Sequence, residues 1–162
     1  MQKTEVIRLN EKTIQGVLDG LVWFSRSKQA TELYFHTFLR DPLTQVKQAL
    51  KLDLADGMGK LIPALGKRLF ELNVKKLQPD KAVGIPKFKY DDTLEEKTLN
   101  AVEMRQLVAK TVKWLDCIMF NTADDPLLKS ALGFASDRLA RMYLMALHED
   151  YSKAEWGDGN GE

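Results

Sequence analysis

Few side chains in this sequence have the types and spacings that chemistry needs. Glu32 and His36 stand four residues apart, a spacing that places two ligands on one face of a helix. The other imidazole, His148, is followed by Glu149 and Asp150. With Glu103 they make a conceivable displaced set (Glu32, His36, Glu103, His148) for a metal held by oxygen and nitrogen. The plainer reading is preferred: a helix-surface pair, and a histidine near a helix C-terminus where the dipole favours a cation. Cys117 is the only cysteine, which excludes an internal disulfide and a cysteine-based zinc site. Its neighbours Leu115, Ile118 and Met119 mark it as a packed thiol rather than a nucleophile, which needs a base and an electropositive pocket. Gly-x-Ser-x-Gly, Walker and dinucleotide-binding patterns are absent. Gly57-Met58-Gly59-Lys60 falls inside an apolar stripe and reads as close helix approach, not as a phosphate cradle.

The elements that would position these residues have a helical period. From a cap at Asn10, apolar residues recur at Ile14, Val17, Leu18, Leu21, Phe24, Ala30, Leu33, Tyr34 and Phe38. This first helix is expected to stop near Arg40, because a residue before proline leaves the α region. Asp41-Pro42 then reads as a fresh helix start, with a stripe from Leu43 to Leu72 and a kink or break near Leu61-Ile62 ahead of Pro63. Residues Val74 to Asp92 lack helical period and hold Pro79, Gly84 and Pro86. Extended at about 3.3 Å per residue, they span roughly 60 Å, enough to run the length of a bundle and return the chain to the end it left. Lys75, Lys76, Lys81, Lys87 and Lys89 make this connector basic, with Phe88 and Tyr90 interleaved. A solvated loop pinned to the helices by its aromatic residues is preferred over a nucleic-acid contact of the stacking kind. A third helix is expected from a capping box at Thr93-Leu94-Glu95-Glu96, ending by Asn121 to Asp124. A fourth opens at Asp125-Pro126, with Leu128, Ala131, Ala135, Leu139, Met142 and Ala146 on one stripe.

The 162 residues suit one domain, taken as 1–155 with a flexible acidic tail over 156–162. Lys and Arg number 24 against 23 Asp and Glu, so no bulk field selects nucleic acid or an anionic membrane. No apolar run approaches the roughly 20 residues that cross a bilayer, and the first ten residues do not resemble a signal peptide. A cytoplasmic location is expected from the lack of export signals and paired cysteines.

Both helix pairs pivot on one signature, Asp41-Pro42-Leu43 and Asp125-Pro126-Leu127, with Met58 and Met142 equally far beyond the proline. Two α-hairpins joined by a long crossover, with Asp-Pro openings, resemble the ferritin-like superfamily, rubrerythrin-type chains in particular. The resemblance implies an all-α, ferritin-like four-helix bundle of two antiparallel pairs. It also implies a di-metal centre built from a glutamate on the first helix and Glu-x-x-His on the second helix of each pair. Registered on the Asp-Pro landmarks, those ligand positions fall on Ser27, Ala55 and Met58 in the first half, and on Thr111, Leu139 and Met142 in the second. None of the six can supply the family's ligand, and Glu-x-x-His occurs nowhere in the chain. The resemblance therefore implies the fold and argues against the family's activity, with no cofactor expected.

Leu21, Val22, Trp23 and Phe24 point in nearly every direction around the first helix, and Trp114 and Ile118 belong to a similarly broad apolar surface on the third. A helix apolar all round is buried on more than one side. These six residues are therefore expected to form a two-fold dimer interface. The leading expectation is a non-catalytic, dimeric interaction or structural protein without a metal, open to a further protein partner but not to membrane or nucleic acid. The alternatives are a metal-binding oxidoreductase using the displaced set, and an apolar small-molecule binder with a cavity lined by Met58, Met142, Phe134 and Trp114.

Overall fold

The computed structural model describes residues 9–75 and 84–156; Lys76, Lys81 and the expected tail, apart from Trp156 at the end of the last helix, lie outside the described part. All regular structure among the described residues is helical. The helices are α1 (Glu11–Arg26), α2 (Lys28–Glu32), α3 (Phe35–Ala49), α4 (Met58–Leu69), α5 (Ala101–Phe120) and α6 (Pro126–Trp156). A π-helical turn, Phe70–Lys75, extends α4, and a 3-10 turn, Asp92–Glu96, precedes α5.

The first half departs from the expected hairpin. Asn10 caps α1 by accepting the Thr13 N–H at 2.9 Å. The helix ends at Arg26, not near Arg40, because extended Ser27 turns its hydroxyl to the Ala30 N–H (3.0 Å) and starts α2. Tyr34, left-handed at φ 63°, then separates α2 from α3. Asp41-Pro42 opens nothing: Pro42 lies inside α3. An interior proline costs a helix about 3 kcal/mol. Here the apolar stripe runs unbroken through it (Phe35, Leu39, Pro42, Leu43, Val46, all buried), and burial of that face offsets the cost.

The break expected near Leu61-Ile62 comes earlier, between α3 and α4. Lys51, at φ 60°, donates to the Gln48 carbonyl (3.1 Å), and Leu52 donates to that of Lys47 (2.9 Å). These are the paired bonds of a Schellman ending, with lysine in the place glycine usually takes. Gly57 then caps α4, so Gly57-Met58-Gly59 marks a helix start rather than a helix interior, and α4 continues through Pro63.

The second half follows the expected plan with one shift. Thr93-Leu94-Glu95-Glu96 forms only the 3-10 turn, capped by Asp91. The capping box belongs to Asn100 and Glu103: the Glu103 N–H donates to Asn100 Oδ1 (2.8 Å), and the Asn100 N–H to Glu103 Oε1 (2.9 Å). Asp125-Pro126 does open α6, with the Leu128 N–H on Asp125 Oδ1 at 3.2 Å and Leu128, Ala131, Ala135, Leu139 and Met142 buried. Arg68 of α4 holds the other oxygen of Asp125 at 3.0 Å, tying this turn to the first half of the chain.

Helix α6 packs on α5 and α3, while α1 packs on α3, α4, α5 and the 3-10 turn. That enclosure corrects the expected interface. Leu21, Val22, Trp23, Phe24 and Ile118 are each no more than 1% exposed within the single chain, so their apolar directions are already filled. Trp114 is half-buried.

Candidate functional site

Gln15, Trp23 and Gln29 organise the only described stretch of long connector. The Gln15 amide donates to the Lys89 carbonyl (2.9 Å) and accepts the Lys89 N–H (3.1 Å). The Gln29 amide does the same to Leu99, donating at 2.7 Å and accepting at 2.8 Å. Between them the Trp23 indole N–H donates to the Lys97 carbonyl at 3.0 Å. Three side chains on α1 and α2 thus take up main-chain groups of an irregular segment, which otherwise would lack partners. At its start Phe88, 3% exposed, seats its ring directly on Gly66 of α4, 6.3 Å from the Phe70 ring. The Tyr90 hydroxyl donates to Glu95, which also faces Arg26 at 4.0 Å. Burial, followed by that carboxylate, pushes the Tyr90 phenol above its ordinary range. The expectation of a loop anchored by its aromatic residues therefore fits Phe88 and Tyr90.

Clamping this strap beside α1 and α5 creates a cleft of about 360 Å³. Helix α1 supplies Gly16, Asp19, Gly20 and Trp23. The strap contributes Leu94, Lys97 and Leu99; α5 contributes Glu103, Gln106, Leu107 and Lys110. Gly20 lets α5 approach closely, since a Cβ there would overlap the Thr111 hydroxyl. Gly16 has no such neighbour: a Cβ would meet nothing within 4 Å. Asp19 accepts the Gln15 amide at 2.9 Å, yet burial outweighs that bond and raises its pKa above the ordinary carboxylate range. Nearby Asp91 adds to the rise, and Lys110 and Lys97 oppose it. An acid raised in this way opposes folding when charged; the cost is present at neutral pH, fades as pH falls through the raised folded-state pKa, and is gone below the ordinary carboxylate value.

The metal-ligand candidates do not gather. Glu32 closes α2 and His36 lies on α3 beyond the Leu33-Tyr34 turn, so they share no helix face. Glu103 is engaged in its capping box, and the His148 side chain lies outside the described part. Among the described residues no three His, Cys, Asp or Glu side chains form a metal-sized group. His36 keeps a buried Nδ1 with no hydrogen-bond partner.

Of the six positions registered on the ferritin-like pattern, Ser27, Thr111, Leu139 and Met142 are buried, whereas Ala55 is exposed in the α3–α4 loop and Met58 is half-buried at the first turn of α4. The Phe134 and Trp114 rings are half-buried, with Arg138 over the former and Lys113 over the latter; neither ring lines the cleft beside α1, and nor do Met58 and Met142.

A second surface feature is the turn between α5 and α6. Phe120 is 78% exposed on one side of it and Leu127 70% exposed on the other. A shallow depression beside Leu127 is bordered by Leu50, Lys51, Arg68 and Asp125.

The chain is thus an all-α protein in which no described helix is long and apolar enough to cross a membrane. Comparison with protein-family models, curated proteins and solved structures found no match.

Proposed function

We propose that this chain is a non-catalytic helical interaction protein that works as a homodimer through the α5–α6 turn, on a bundle of ferritin-like layout without the di-metal site. The layout is supported by the antiparallel α5–α6 pair opened at Asp125-Pro126, by α3 lying against α6, and by the long connector between the halves. In this reading the first pair has diverged: its first helix is broken at Ser27 and its second at Lys51.

The observation that carries the interaction role is the pair Phe120 and Leu127. Large apolar side chains on a tight turn gain little by facing water, and together they make a contact that a second copy can cover. A two-fold axis at the turn sets the same residues against each other and closes the assembly. Stable association buries about 800 Å² on each partner, so neighbouring parts of α5 and α6 must join the contact.

Sedimentation velocity on the full chain tests this reading. The expected result is a dimer at micromolar concentration that becomes a monomer in the double variant Phe120→Ser, Leu127→Ser, which still unfolds in a single cooperative transition. A wild-type monomer at about 50 μM, or a double variant that still dimerises, overturns it.

A further inference from the structure

Gly16 is the unexplained residue of α1. A glycine in a helix interior costs about 1 kcal/mol against alanine. Gly20 answers that cost with the close approach of Thr111, but the space where a Gly16 side chain would stand is empty and opens into the cleft. Charges around that space are left unmatched. Asp19 takes only an amide from Gln15 and forms no ion pair within 4 Å with a described residue. Lys97 and Lys110 stand near enough to influence it, yet neither forms an ion pair within 4 Å with a described carboxylate. Glu103 also lines the cleft, and its carboxylate accepts the Asn100 N–H of the capping box rather than pairing with either lysine within 4 Å. The cleft therefore has an anionic group, Asp19, on α1, a cationic one, Lys97, on the strap, and both Glu103 and Lys110 on α5. Leu94, Leu99 and Leu107 supply apolar surface between. Its walls are held in place before any ligand arrives, because Trp23 and Gln29 fix the main chain at Lys97 and Leu99. A volume of about 360 Å³ suits a small molecule.

We propose that this cleft binds a free α-amino acid with an apolar side chain, its ammonium on Asp19, its carboxylate between Lys97 and Lys110, and its side chain in the space left by Gly16. A zwitterion matches both walls at once, whereas a simple amine or acid leaves one set of charges unanswered. The unpaired partly buried carboxylate gains most from the contact, since a donor cation restores the solvation that burial removed. This inference goes beyond the dimer reading and is independent of it, as the cleft and the α5–α6 turn share no residue.

The test is an amide NMR titration of the full chain with L-leucine, isoamylamine and 4-methylpentanoate. Leucine is expected to give saturable shifts at Gly16, Gly20, Lys97 and Lys110, and the two single-charge analogues to bind at least tenfold more weakly. Gly16→Leu is expected to abolish binding by filling the space, with an unfolding temperature at or above wild type. Asp19→Asn is expected to weaken leucine and isoamylamine at least tenfold and to leave 4-methylpentanoate unchanged. The proposal is overturned by an absence of shifts at about 20 mM leucine, by equal affinity for either analogue, or by wild-type binding in folded Gly16→Leu.

Discussion

At Gly66 the ring of Phe88 occupies the place of a side chain, so the missing Cβ is what lets the strap lie against α4. A methyl group there collides with the ring at backbone-proximal atoms that a rotamer change cannot clear, and Phe88 must move out. Overpacking of this kind costs about 1–3 kcal/mol. Gly66→Ala is therefore expected to lower the urea-unfolding free energy even though alanine is the better helix former by about 1 kcal/mol, while Gly59→Ala, whose Cβ meets nothing within 4 Å, leaves it unchanged or raises it by up to about 1 kcal/mol. Equal effects at the two glycines defeat the account of how the strap is seated. The aromatic anchors were legible as hydrophobic residues in a polar connector. The glutamine clamps were not: Gln15 and Gln29 have the composition of an ordinary helix surface, and nothing in their spacing announces main-chain partners so far along the chain.

Among the elements, the two Asp-Pro pairs show how one local signal yields two structures. Asp125 caps α6 and also holds Arg68, whereas Asp41 is an exposed residue inside α3. Both pairs carry the same preference for opening a helix. At Pro42 that preference is outweighed by the apolar residues on either side, which keep one face of α3 continuous through the proline. Asp125→Ala is expected to destabilise the protein by about 1–2 kcal/mol through loss of the cap. Asp41→Ala is expected to stay within about 0.5 kcal/mol, as for an uncapped surface position. Denaturant titration of both variants checks the contrast, and a large loss at Asp41 would restore the repeat that the sequence suggests. The shift of the capping box from Thr93 to Asn100 has a related cause. The Trp23 and Gln29 contacts hold residues 97 and 99 outside a helix, so α5 can begin only after them.

Across the whole molecule, the strap adds to the helix packing that joins the halves, because α1 and α2 grip it where it leads into α5. Removing one clamp leaves a main-chain donor and acceptor without partners, at a cost of about 1–3 kcal/mol if they stay buried. In Gln29→Ala the Leu99 amide is expected to exchange with solvent at least tenfold faster, while amides in the middle of α6 keep their wild-type rates. Uniform acceleration throughout the chain would mean that the clamp acts on global stability and not on the strap.

What the sequence by itself determined is the all-helical class, the end of α5, the start of α6, and the burial of the stripe from Leu128 to Met142, because helical period and end-capping are local and the side chains that report them lie within one turn. It also identified the apolar breadth of α1. Only the tertiary structure decided what covers that breadth: α3, α4, α5 and the 3-10 turn enclose it within one chain, while Phe120 and Leu127 are left exposed. It likewise decided that Asp19, Lys97 and Lys110 share a cleft. Their meeting depends on main-chain hydrogen bonds to a segment with no period of its own, and such bonds are made to peptide groups, which every residue type carries alike.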